Sequence, residues 1–197
     1  MEKNHIICIG RQLGSGGHEI GERLAARLGY SFFDKELIKL ASIESGLCSD
    51  IFEKVDEKIN TTMFDGIFNM SDNCLSNEAL FKIQSDVIRK LAQNGPSVFV
   101  GRCADYILKD YPGVVTVFIT AGFEDRVKRV MKHNDLSNNE AISLIEKTDK
   151  KRAAYYNFYS NKIWGRAESY DLCINSSALG IDETMNFIFG FVTEKCR

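Results

Sequence analysis

Only two prolines occur among the 197 residues, and no stretch is low in complexity. That excludes proline-rich, collagen-like and extended disordered chains. Histidine is scarce, at three widely separated positions, and the six cysteines never fall as C-x-x-C. A zinc site is therefore not expected, and the cysteines are expected as reduced, mostly buried thiols. No run of 18 apolar residues exists, so no membrane-spanning helix is expected. Five apolar or small residues separate His5 from Arg11. These are too few for a signal-peptide core, and a cytoplasmic location is the expectation. A charge excess is missing too: Lys+Arg is 25 against 27 Asp+Glu, for a formal net charge of −2. That balance gives no general affinity for nucleic acid and leaves room for a local basic cleft.

What is present suits one globular domain carrying a small insert. Apolar residues make up 44%, and a chain of this size buries roughly 70% of the surface exposed when unfolded. Ile6–Ile9, Tyr30–Asp34, Ser97–Gly101, Val114–Ile119 and Asp171–Asn175 are short, apolar and rich in β-branched or aromatic residues, which predicts five strands. Between them run helical spacings: Glu19–Leu28 closed by Gly29, a start at Lys35–Ser42, then Glu78–Gln93, Phe123–His133, Asn138–Tyr155 and Asp182–Glu194. The stretch from about Gly46 to Asn77 reads as an insert with a helix near Asp50–Lys58. Strands alternating with helices predict a three-layer α/β/α fold around a parallel five-stranded sheet.

In such sheets ligands bind beyond the carboxyl ends of the strands. The first strand runs into Gly14-Ser15-Gly16-Gly17-His18 and then a helix. Glycines let backbone N–H groups approach an anion, and the helix N-terminus adds favourable partial charge, so the loop is a candidate phosphate cradle. The pattern G-x-x-x-x-G-K-[ST] is not met: Arg11, Gly17 and His18 stand at its first glycine, its lysine and its Ser/Thr. Losing a pre-organised cation at reacting phosphates costs on the order of 10²–10³ in rate. Arg11 is the nearest substitute in sequence, His18 is placed to cap the helix, and Ser15 to face phosphate or magnesium. The other strand ends carry Asp34, Gly101-Arg102, Arg126 with Arg129 beyond the fourth strand, and Asn175-Ser176-Ser177.

Six segments taken in order resemble the cytidylate kinase-like family of P-loop nucleoside monophosphate kinases across nearly the whole chain. They are Arg11–Gly21, Leu28–Ile38, Val98–Asp105, Ala121–Arg129, Trp164–Arg166 and Tyr170–Ser177. The resemblance implies a core at 1–45 and 78–197, a nucleotide-binding insert at about 46–77 and a basic LID at about 134–168. It implies transfer of the ATP γ-phosphoryl group, with Mg2+, to a nucleoside monophosphate, CMP or dCMP favoured. It places Asp34, Arg102, Arg126 and Arg129 toward the acceptor, and Lys147, Lys150 and Arg152 on the LID. Cys103 stands where the family motif has aspartate, with Asp105 the nearest carboxylate, and Asn175 stands where another aspartate is usual.

Plainer readings stand beside these. Asp34 suits an N-cap for the helix at Lys35. Arg126 and Arg129 have Glu124 and Asp125 for neighbours. Lys147–Arg152 suits a solvated helix C-terminus favoured by the macrodipole. The run Tyr155-Tyr156-Asn157-Phe158-Tyr159 suits either packing or a stacking surface for a base. At the level of function, the alternatives are a nucleotide-binding module without phosphotransfer and a small-molecule kinase with a non-nucleotide acceptor.

Overall fold

The computed structural model describes residues 5–35 and 77–196. The expected helix near 50–58, nearly all of the insert and most of the helix starting at Lys35 lie outside the described residues. Five strands appear in the expected order: β1 (Ile6–Arg11), β2 (Ser31–Phe33), β3 (Ser97–Val100), β4 (Val114–Thr120) and β5 (Leu172–Asn175). All pair in parallel, in the order β2-β3-β1-β4-β5. The central strands β1 and β3 are near-continuous apolar runs because both of their faces are covered.

Helices cover both faces. α1 (Gly17–Leu28) and the closing α6 (Ser176–Lys195) pack on one side. Ile20, Leu24, Met185, Ile188 and Val192 meet Ile7, Ile9, Val98 and Val117 there. On the other side α2 (Asn77–Gln93) and the short α3 (Ala104–Ile107) press Val87, Ile88, Ala104 and Ile107 against Ile6, Cys8 and Phe99. The chain thus leaves β1 for one face of the sheet and β3 for the other. Between the carboxyl ends of these neighbouring strands a crevice opens, the usual ligand position in such folds.

α4 (Phe123–Asn134) and α5 (Asn138–Ser160) pack through Val127, Val130, Ala141 and Ile145. α5 starts with a capping box between Ser137 and Glu140. It runs five residues beyond Tyr155, the expected end. The aromatic run continues the helix, with Tyr156 buried and Tyr159 stacked on Phe81 at 3.9 Å between ring centroids. Lys147–Arg152 therefore lies inside the helix, and the reading as a C-terminus favoured by the macrodipole falls away. α6 also begins earlier than Asp182. The Asn175 side chain accepts from the Ser177 N–H, and a break at Gly180 (φ +78°) separates a first turn from the main helix.

Candidate active site

The glycine loop is held by its carbonyls. Gln12 O accepts from Ser15 Oγ at 2.8 Å, and Leu13 O from Arg126 Nε at 2.7 Å. Gly14 O accepts from Arg129 Nη1 at 3.0 Å, and Ser15 O from Ser176 Oγ at 2.7 Å. With these carbonyls occupied, the first-turn N–H groups of α1, which have no intrahelical acceptor, are the donors the loop offers to an anion. Gly14 and Gly16 both have φ of +77°. A Cβ on Gly14 would lie 2.6 Å from the Arg126 carbonyl oxygen, so neither rotation nor space allows a side chain there.

Arg126 and Arg129 thus brace the loop, whereas the sequence reading put them toward an acceptor. Arg126 is buried and pairs with Asp149 of α5 instead of Glu124 or Asp125. The other Asp149 oxygen accepts from the Leu13 N–H at 2.9 Å. Ser15 is fully buried with its hydroxyl turned to Gln12 O, so it shapes the loop. His18 is exposed, and its Nε2 lies 2.9 Å from Asp34 Oδ2. The helix cap position belongs to Gly16.

Beside the loop a cavity of about 860 Å3 opens between the ends of β1 and β3 and one face of α5. Arg11, Arg102 and Arg152 all line it. The Arg11 guanidinium crosses the end of β3 so closely that a Cβ on Gly101 would fall 2.1 Å from its Nη1. Gly101, Arg102 and Cys103 all have positive φ, at +82°, +58° and +55°. Two successive non-glycine residues in the left-handed region store strain of the kind found at binding sites. Arg152 donates to Arg11 O at 3.2 Å. Burial, then the charges of Arg152 and Arg102, lower the Arg11 pKa to about 9. The guanidinium still carries its charge at neutral pH. Burial lowers Arg152 as well. Asp149 lies 4.0 Å from Arg152, and the charges of Asp34 and Asp149 favour Arg11, but three cations crowded at one end of the sheet still make a site suited to an anion.

From α5 the cavity receives Thr148, Lys151, Arg152, Ala154, Tyr155, Tyr156, Phe158 and Tyr159. That is helical spacing, and it selects Lys151. Lys150 and Lys147 are exposed and outside the lining. Counting back three and four from Tyr155 would have singled out Lys151 and Arg152 in the sequence. Lys35, next to Asp34, lines the cavity as well. The far wall is aromatic, with Phe81, Tyr155, Tyr159, Trp164 and Tyr170. The aromatic run therefore both packs and faces the cavity. Asp105 accepts from Tyr156 Oη at 2.7 Å, and burial holds its pKa above the ordinary carboxylate value. Burial also pushes the Tyr155, Tyr156 and Cys103 groups up, so all three keep their protons at neutral pH.

Sequence reasoning missed Gln84 and Asp149, and it counted Lys151 among the cations of its helix without assigning it to the site. Gln84 had a signal: it sits on the apolar stripe of α2, four residues after Leu80 and four before Ile88. Asp149 had none, because its partners Leu13 and Arg126 are distant in sequence.

Residues 6–178 match the model of the cytidylate kinase-like family. A cytidylate kinase of Ignicoccus hospitalis is 21% identical over 187 residues, covering 93% of this chain and 96% of the relative. The crystal structure of an uncharacterized protein from Eubacterium ventriosum is similar with a TM-score of 0.75 and 28% identity, covering 96% of this chain and 98% of that one. A shikimate kinase structure from Bacteroides thetaiotaomicron shares the fold with a TM-score of 0.58 at 13% identity, covering 96% and 98%.

Proposed function

The chain belongs to the cytidylate kinase-like family, and from that premise we propose that it transfers the γ-phosphoryl group of ATP to a nucleoside monophosphate, with CMP and dCMP favoured. The observation that carries this reading is the position of Arg11. Its backbone enters the glycine loop, a Cβ on Gly17 would fall 2.6 Å from its own Cβ, and its guanidinium reaches the cavity over Gly101. It stands between the groove suited to donor phosphates and the cavity suited to an acceptor.

Phosphoryl transfer asks little covalent chemistry of a protein. It needs charge neutralisation around the moving group and in-line positioning. In this reading the α1 N-terminus and loop N–H groups hold the donor phosphates, and Arg11 supplies the cation that a loop lysine otherwise provides. Arg102 holds the acceptor phosphate. Arg152 and Lys151 approach from α5, whose place is fixed by Asp149 on Leu13 and Arg126. Mg2+ bound with ATP would neutralise further phosphate charge. Among the described residues no cluster of three or more His, Cys, Asp or Glu could cage a metal.

The test is ADP release from Mg-ATP with CMP, dCMP, UMP, AMP or GMP, and with no acceptor. Stimulation confined to CMP or dCMP supports the reading. A flat panel with ATP binding retained overturns it in favour of a binding module or a non-nucleotide acceptor.

A further inference from the structure

Gln84 of α2 lies under the aromatic wall, fully buried, and lines the cavity. Its carbonyl is occupied: Tyr155 Oη donates to Oε1 at 3.2 Å. Tyr155 in turn shares a hydrogen bond with Arg102, whose guanidinium can only donate. Arg102 takes a lone pair of the phenol oxygen, and the phenol proton points to Gln84 Oε1. Among the described residues Nε2 is left with no hydrogen-bond partner. Leaving such a donor buried and unpaired costs about 1–3 kcal/mol, and natural structures rarely keep one without a use.

The surroundings define what Nε2 meets. Phe81 and Tyr159 stack in parallel beside it, and Tyr155 packs edge-on against both. Such surfaces suit a flat ring. Through Tyr155 the amide is tied to Arg102, the group suited to the acceptor's phosphate. On the same cavity wall, Asp105 offers an acceptor for a donor on the ligand.

We propose that Gln84 is a specificity-determining residue of the acceptor site. Its Nε2 donates to a lone-pair edge of the acceptor's base, a carbonyl oxygen or an unprotonated ring nitrogen, with Tyr155 locking the amide in the orientation that presents the donor. This rests on the nucleotide kinase reading above.

The test compares wild type, Gln84→Leu and Gln84→Glu on the same five nucleotides, with KM and kcat measured separately and thermal unfolding of the free proteins. Gln84→Leu deletes the unpaired donor but also the acceptor of Tyr155 Oη, so its Tm should stay close to that of wild type. The KM of the preferred nucleotide should rise about tenfold, with kcat and the KM for ATP within about twofold, the pattern of lost ground-state binding. Gln84→Glu keeps the shape and the acceptor for Tyr155 and offers no donor once ionised, so its loss of affinity should deepen as pH rises through a pKa that burial raises. Discrimination among bases should narrow in both variants. An unchanged KM in an active Gln84→Leu, or a drop in Tm without a change in KM, overturns the assignment and leaves the kinase reading standing. A wild type inactive on all five nucleotides overturns both.

Discussion

At Arg11 the backbone and the side chain do different work. The carbonyl accepts from Arg152, a contact any residue would keep, while the guanidinium adds a third cation beside Arg102 and Arg152. Removing it relieves repulsion in the free protein and removes charge neutralisation at the site. Arg11→Ala should therefore unfold at the wild-type temperature or slightly above it, with turnover reduced at least 10²-fold. Full turnover in a folded Arg11→Ala protein would show that another group replaces the loop lysine. The place of Arg11 was legible in the sequence, because the residue ending β1 must border the loop. The roles of Arg126 and Arg129 were not. Both follow β4 as an acceptor-side residue would, and only the folded chain shows their donors spent on loop carbonyls.

At the scale of elements, α5 is joined to the glycine loop by one carboxylate. Asp149 accepts from both the Leu13 N–H and Arg126, and Arg126 also holds Leu13 O. Both side chains are largely removed from water, so deleting Asp149 strands the Arg126 charge, and deleting Arg126 leaves Asp149 the longer contact with Arg152 at 4.0 Å. Arg126→Met alone should lower unfolding stability by about 3–5 kcal/mol, whereas Arg126→Met with Asp149→Leu should recover much of that loss. Chemical denaturation of the two variants measures it. With Asp149→Leu measured alone as well, a double-variant loss equal to the sum of the two single losses would mean the pair is not coupled. Helix existence was legible from periodicity here, but helix length was not. The stretch after Arg152 carries tyrosines whose rings find Phe81 and Asp105 on other elements, and these contacts extend α5 beyond its local signals.

For the whole molecule, the order β2-β3-β1-β4-β5 sends the chain from β1 and β3 to opposite faces and opens the crevice between them. One consequence of enclosing polar groups there is a pH dependence of global stability. Burial raises the Asp105 pKa above its ordinary 3.8, outweighing the hydrogen bonds from Tyr156 and the backbone. A carboxyl that holds its proton more tightly folded than unfolded stabilises fully below the unfolded pKa. That contribution is lost as pH rises through the folded value. Stability of Asp105→Asn relative to wild type should therefore increase as pH climbs from about 4 toward neutrality, as read by denaturation midpoints across that range. A difference independent of pH would place Asp105 outside the titrating groups. The sequence by itself determined the parallel sheet, the loop–helix cradle and the arginines at the ends of β1 and β3. Apolar runs, glycines and strand ends are local features, and the rule placing ligands at strand ends is general. Tertiary structure alone decided which charged groups face the cavity and which brace the loop, and that Gln84 keeps a donor unpaired beneath the aromatic wall. Those outcomes depend on partners scores of residues apart, whose directions are set only when the helices pack on the sheet.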